Sequence, residues 1–278
     1  MAGRLTQVKP EKPQVILAEV TRTERISPNV VRVTFGGEAI RRFRPMGFDQ
    51  WFRLFLPREG QEVLQLPTRS SILWYAQFLT TPKHRRPWVR NYTVRAYRPA
   101  EGESTHPELD VDFVVHGASS GPASDWAVNA QPGTTAGILD EGASYSAADD
   151  VDWHLIAADE TGLPAAVGVL AGLPRDAVGH AWIELPDAAD AQPVDAPAGV
   201  AVHWLPRTDP HAAPGELARE TVQAAITAAT LPPGRGYAHL VGESSLVTGL
   251  RRHLVAAGMP KPHITFIGYW RVGHSAAG

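Results

Sequence analysis

Along the first half of the chain, short runs of branched and aromatic residues are cut by Gly, Pro and charged turns. The runs at Val15 to Thr21, Val30 to Phe35, Trp51 to Leu56, Arg90 to Tyr97, Leu109 to Val115 and Thr134 to Leu139 predict six strands. Six such strands in succession predict a small antiparallel β-barrel. Residues 57–87 are too many for a hairpin, and Ser70 to Leu79 within them reads as a short helix.

After Trp153 the period changes. Trp153 to Ala158, Ala181 to Leu185, Val200 to Leu205, Tyr237 to Val241 and His263 to Ile267 read as buried strands. Leu163 to Leu173, Gly215 to Ala229 and Ser244 to Ala257 read as the helices between them. Strand and helix in alternation predict an α/β doubly wound parallel sheet. The polar stretch Glu141 to Asp152 is the natural boundary, so two domains are expected, over residues 14–142 and 151–274. A length of 278 residues, more than one core usually serves, points the same way.

Composition narrows the chemistry. Hydrophobic content of 44% and charged content of 20% are globular, and a net charge of -3 gives no reason to expect nucleic acid as a partner. The absence of cysteine excludes disulfides, thiolate zinc sites, a catalytic thiol and a cysteine-ligated iron–sulfur cluster. Redox chemistry would therefore rest on a bound organic cofactor, and no protein-bound metal is expected. Arg4, Lys9 and Lys12 near the N-terminus have no apolar run behind them, so cytoplasmic residence without stable membrane insertion is the expectation. Charge is uneven: Arg41 to Arg98 holds twelve Lys and Arg against three acids, whereas Glu101 to Asp195 holds eighteen acids against Arg175 alone. The first segment suits anionic ligands.

Within that basic segment, Arg90-Asn91-Tyr92-Thr93-Val94-Arg95 alternates cationic, aromatic and hydroxyl groups along an expected strand. A flavin dinucleotide needs a guanidinium on its pyrophosphate, an aromatic face on its ring system and a short hydroxyl near N5, the place for Thr93. An amphipathic strand with exposed arginines is the plainer alternative.

The hexapeptide resembles the Arg-x-Tyr-Thr-x-Arg signature of the siderophore-interacting proteins, FAD-dependent ferric-siderophore reductases related to the ferredoxin reductases. Three further blocks match that family in order: Asp112 to Gly117 with Gly121 to Ala127, then Asp159-Glu160-Thr161-Gly162-Leu163-Pro164, then Gly268 to Gly273. The resemblance implies FAD contacts from Arg90, Asn91, Tyr92, Thr93 and Arg95. It adds Asp112, Val114, Val115 and His116 from the next strand, Ala123 and Ser124 from a helix start facing the pyrophosphate, and Tyr269, Trp270 and Arg271 returning toward the flavin. Asp159, Glu160, Thr161, Gly242 and Glu243 fall to NADH or NADPH, with Thr161 expected to cap the helix after the first parallel strand. Lys83, Arg85, Arg86, Arg251 and Lys261 are candidate cations for a basic siderophore mouth; solvated surface charge is the alternative for each.

The implied activity is transfer of electrons from NAD(P)H through FAD to siderophore-bound Fe(III), by a monomer, with no side-chain acid or base. Two other classes stay open: a flavoprotein fed by a protein donor such as ferredoxin, and a siderophore-binding module without catalysis. Gly117-Ala118-Ser119-Ser120-Gly121 also fits the nucleophile elbow of serine hydrolases, but an elbow belongs in a parallel sheet and everything upstream reads antiparallel. No Gly-x-Gly-x-x-Gly is present. The second parallel strand ends in Glu184-Leu185-Pro186-Asp187, acids that suit a free ribose 2′-hydroxyl, so NADH is expected to be preferred, with Arg207 as the competing element.

Overall fold

β-Branched and aromatic residues at alternate positions build the first half. The computed structural model describes residues 8–58, 60–61, 63–68, 73–101, 106–115, 121–148, 150–209 and 212–274. Its first half holds one antiparallel sheet of seven strands: β1 (Val15–Ser27), β2 (Val30–Gly36), β3 (Trp51–Leu56), β4 (Trp88–Thr93), β5 (Ala96–Arg98), β6 (Glu108–Val114) and β7 (Thr135–Gly142). Their spatial order is β4-β3-β7-β1-β2-β6-β5.

This corrects the expected count of six strands. The run from Arg90 to Tyr97 is two strands, because β4 pairs with β3 whereas β5 pairs with β6 at the opposite end of the sheet. Between them Val94 N donates to Gln50 O at 2.8 Å and Arg95 N to Asp110 O at 2.9 Å, so the chain is handed from one end of the sheet to the other. The alternation expected over the whole hexapeptide therefore holds only to Thr93.

One core cluster of this sheet buries Val20, Val33, Phe35, Phe52, Leu54, Val111, Phe113 and Ile138. Helix α2 (Pro122–Asn129) closes that core with Ala123 and Ala127, and the Trp126 ring stacks 6.1 Å from Phe35. On the other face, α1 (Leu73–Thr80) sets Trp74 and Phe78 against Phe55 and Leu139. Each large apolar side chain so buried contributes roughly 1.5–3 kcal/mol.

The second half is a parallel sheet of β8 (Trp153–Ala158), β9 (Val178–Leu185), β10 (Gly199–Pro206), β11 (Gly236–Glu243) and β12 (Ile264–Trp270), in the order β10-β9-β8-β11-β12. Helix α3 (Leu163–Gly172) is apolar nearly all round and packs with Ile156, Ala181 and Ile183 on one face. Helices α4 (Glu216–Thr227) and α5 (Ser244–Ala256) pack with Leu155, Ala157, Ala238 and Leu240 on the other. The sheet is thus doubly wound, as expected, and the chain reverses its direction of winding between β8 and β11. Outside the carboxyl ends of those two strands lies the crevice in which such folds take ligands.

Residues 8–46 and 50–143 make one compact unit, and residues 47–49 join residues 144–274 in the other. In that second unit the Phe48 ring stacks 5.1 Å from Tyr145, and Asp49 Oδ1 accepts from the N–H groups of Ser144 and Tyr145. Among the described residues no helix is long and apolar enough to cross a membrane.

Candidate functional site

In the antiparallel domain, the fate of each arginine separates structural cations from available ones. Arg32 forks onto Asp112 at 2.7 and 2.9 Å, and Arg95 approaches the same carboxylate at 3.5 Å. Arg98 pairs with Glu108 and Asp110, and Arg53 with Glu141. Arg90 differs: its half-buried guanidinium donates to Val89 O at 2.8 Å and has no carboxylate partner among the described residues. Burial pushes its pKa down, and the nearby Arg58 adds to this. A cation left partly desolvated and unpaired fits an anionic group such as a pyrophosphate.

Arg58 and Trp88 extend this surface, and the sequence reading missed both. The Arg58 guanidinium lies 3.7 Å from the Trp88 ring centre and that of Arg90 5.4 Å from it, a cation–π arrangement. The signal was present: Trp88 sits two residues before Arg90, on the same face of β4 by strand alternation. Tyr92, also on that face, places its ring 4.3 Å from Phe113. Burial raises the Tyr92 pKa well above its ordinary value, so the phenol stays a hydrogen-bond donor. Thr93 is buried at the end of β4, and Asn91 is exposed, its Oδ1 3.5 Å from Arg53.

The expected helix start is in place. Gly121, at φ 101°, precedes α2 and Pro122 opens it, so the first turn presents N–H groups outside the helix's own ladder. Ser124 Oγ donates to Val114 O at 2.8 Å, which ties that turn to the end of β6, and Ala123 is buried beside it. Val115 N bonds Asn29 O. The Asp112 carboxylate is spent on two arginines, which leaves only its backbone for a ligand. His116 and Ser119 lie outside the described residues.

In the parallel domain the nicotinamide candidates gather at the β8–β11 crevice. Asp159 Oδ1 accepts from Thr161 N, Thr161 Oγ1 and Gly162 N, and Oδ2 from Glu243 N. Burial, and after it the neighbouring Glu160, push the Asp159 pKa up to about 6. Thr161 does not cap α3: Gly162 is the capping residue and the hydroxyl turns back to Asp159. Gly242, at φ 131°, is required beside it, because a Cβ there would sit 2.6 Å from the Asp159 carboxyl carbon. Glu243 caps α5 through Ser245 N and Leu246 N.

Glu160 forks onto Arg207 at 2.9 and 3.0 Å, and Arg207 reaches Glu184 at 2.7 Å. Glu184 is fully buried and also accepts from Gly215 N and Ala218 N at the start of α4. This corrects the expectation that Glu184 faces a ribose: its carboxylate is a helix cap and an ion-pair partner. Although burial opposes it, the two glutamates hold the Arg207 pKa above its ordinary value.

The proposed siderophore cations are spread over separate elements. Lys83 and Arg85 are exposed in a 3-10 turn after α1. Arg86 donates to the carbonyls of Leu79 and Thr81 and so closes the end of that helix. Arg251 stacks 4.6 Å from Phe266, and Lys261 is exposed before β12. Tyr269 and Trp270 are half-buried and Arg271 exposed at the end of β12.

The family is decided by comparison with known proteins. Residues 19–145 match the profile of the siderophore-interacting FAD-binding domain, and residues 151–273 that of the siderophore-interacting protein. The chain belongs to the siderophore-interacting protein family. Ferric vibriobactin reductase ViuB of Vibrio cholerae is 32% identical to it over 262 residues, 92% of this chain and 89% of that one. The NADPH-dependent ferric-chelate reductase of Escherichia coli is 29% identical over 90% of this chain and 91% of its own. A siderophore utilization protein from T. fusca has a solved structure with a TM-score of 0.77 at 32% identity, covering 98% of both chains. An antiparallel FAD-binding domain followed by a parallel-sheet domain is the ferredoxin-reductase-like fold, and a siderophore-interacting protein is what the sequence motifs implied.

Proposed function

We propose that this siderophore-interacting protein is an FAD-dependent ferric-siderophore reductase that takes electrons from NADH or NADPH and delivers them to chelated Fe(III). The observation that carries the reading is Arg90, a half-buried cation without an acid partner among the described residues, whereas Arg32, Arg53, Arg95 and Arg98 all have one. Two relatives named as ferric reductases support the substrate class. We assign residues 14–142 to FAD and residues 151–274 to the nicotinamide, and we place the reaction in the cytoplasm.

When bound, FAD supplies two-electron chemistry toward a nicotinamide and one-electron chemistry toward iron. The chain's part is binding and orientation. Arg90, with Arg58 beside it, neutralises the pyrophosphate; the Tyr92 ring offers a stacking face; the first turn of α2 at Ala123 and Ser124 donates N–H groups. Thr93 is the hydroxyl assigned to N5, and Tyr269, Trp270 and Arg271 stay assigned to the flavin through the family motif. In the parallel domain the crevice between β8 and β11 receives the nicotinamide dinucleotide. One hydride carries two electrons and so reduces two Fe(III) ions. Oxygen donors suited to Fe(III) hold the softer, less charged Fe(II) less tightly, which releases the metal. The exposed cations Lys83, Arg85 and Lys261 are the groups we assign to an anionic ferric chelate, with Arg251 drawn instead onto the Phe266 ring of β12.

Purified protein should carry a flavin spectrum, and its reduction by a nicotinamide followed by ferric chelate should yield Fe(II) in a ferrous trap. Fe(III) reduction that proceeds equally without FAD would refute the reading.

A further inference from the structure

The carboxyl ends of β8, β11 and β12 converge on one side chain. Asp159 is 0% exposed, and its partners are all N–H or O–H donors. The last of them is the indole of Trp270, whose Nε1 donates to Oδ2 at 3.2 Å. Oδ1 is filled by the β8–α3 turn and Oδ2 by Glu243 N and Trp270, and Gly242 packs so close that a Cβ there would sit 2.6 Å from the carboxyl carbon. A dinucleotide arriving in the crevice therefore finds no open acceptor on Asp159.

A buried carboxylate is nonetheless an expensive way to hold strand ends that backbone ladders already join. β11 is paired with both β8 and β12 without any help from Asp159. What the ladders do not fix is the Trp270 ring. Ser244 Oγ holds the Trp270 carbonyl at 2.7 Å, which sets the backbone but leaves the indole free to turn. Of the charged groups nearby, Glu160 is committed to Arg207, and Glu243 to Ser245, Leu246 and Val272 N–H groups. The acceptor orienting the indole is Asp159.

We infer that Asp159 is a positioning residue: it holds the Trp270 indole and the β8–α3 turn in the arrangement that receives the nicotinamide dinucleotide, without itself touching the dinucleotide. This rests on the proposal that the parallel domain takes NADH or NADPH. It differs from a ligand role for Asp159, because the effect of losing the carboxylate should run through Trp270.

The test is a double-mutant cycle between Asp159→Asn and Trp270→Phe on the FAD-loaded protein. Asn keeps the shape but replaces one acceptor by a donor, and Phe keeps a ring but removes the N–H. Two readouts are taken: the indole N–H resonance that is missing from Trp270→Phe, and KM and kcat for NADH and NADPH. In Asp159→Asn the resonance should shift, and KM should rise about tenfold, the scale of one hydrogen bond to a charged group, with kcat changed far less. In the double variant KM should be no higher than in the worse single variant. An unmoved resonance in Asp159→Asn, or KM effects that multiply, overturns the inference. If Asp159→Asn does not fold with FAD, Trp270→Phe carries the test, and an unchanged KM there overturns it. Wild-type protein that binds neither dinucleotide defeats the nicotinamide assignment itself, an outcome distinct from a bound dinucleotide with an unmoved indole resonance.

Discussion

The Tyr92 ring of β4 lies 4.3 Å from the Phe113 ring of β6, although the two strands stand near opposite ends of the sheet order. The sheet thus curls until its ends meet, and the Thr93 to Ala96 crossing is where they do. Arg90, Tyr92 and the first turn of α2 are gathered at that seam, so the flavin motif is as much a feature of sheet closure as of one strand.

Arg90→Ala should weaken FAD binding by roughly 1.5–3 kcal/mol, the range for a hydrogen bond to a charged partner. Folding should change little, since among the described residues the side chain makes one hydrogen bond, to the neighbouring Val89 carbonyl, and one loose ring contact, with Trp88. Flavin titration of apoprotein, with thermal unfolding alongside, measures both; unchanged affinity would remove Arg90 from the site.

Asp112→Ala should do the reverse. It strands Arg32 and Arg95, two guanidiniums that share one carboxylate. Breaking such a pair costs about 3 kcal/mol where burial is high, and about half of that is expected here because Arg32 is partly exposed. A fall in unfolding midpoint with FAD stoichiometry kept near one is the outcome, measured by denaturant titration of the flavin-loaded variant. Loss of FAD without loss of stability would instead make Asp112 a ligand.

The doubly wound domain was legible because its strands and helices are long, and Trp153 to Ala158 was located to the residue. The split of Arg90 to Tyr97 was not legible, since β-branched and aromatic residues persist across the crossing and only the change of pairing partner marks it. In the crevice, the Asp-Glu-Thr motif was visible but its internal division was not. A sequence shows two acids in a row; only the fold shows that Asp159 binds N–H groups while Glu160 binds Arg207. Glu184 was misread for the same reason, because nothing local signals that a strand-end carboxylate will cap a helix thirty residues on.

Cofactor preference should follow the Arg207 clamp. With Arg207 held by Glu160 and Glu184, its charge is already committed and not free for a ribose 2′-phosphate, so NADH is expected to be the better donor. Glu160→Gln loosens the clamp and should shift the kcat/KM ratio toward NADPH by about tenfold, equivalent to roughly 1.4 kcal/mol. The two donors compared at one ionic strength decide it, and an unmoved ratio means Arg207 does not reach the ribose.

Acid should expose a second buried group. His239 is fully buried, its Nε2 3.5 Å from Asp49 Oδ2, and burial lowers its pKa despite that carboxylate. The folded state therefore keeps His239 neutral while the unfolded chain takes a proton near pH 6.5, so its contribution to stability is full above about 6.5 and is lost as pH falls. Asp159 has the opposite sign: with a folded pKa of about 6 it stays protonated where the unfolded chain ionises, so stability falls as pH rises toward 6 and is level above. Urea midpoints should drop more steeply on acidification below about pH 6.5 in wild type than in His239→Gln. Parallel curves would show that His239 is not the titrating group.

The most direct test is anaerobic mixing of the FAD-loaded protein with NADH or NADPH, then with a ferric siderophore, while flavin absorbance and a ferrous trap are followed together. Flavin should bleach with a nicotinamide, recover when the ferric chelate is added, and yield about two Fe(II) per dinucleotide oxidised, because a hydride carries two electrons and Fe(III) accepts one. The same stoichiometry should persist in Ser119→Ala. Flavin that bleaches but is not reoxidised by the ferric chelate, with no Fe(II) formed, would contradict the account.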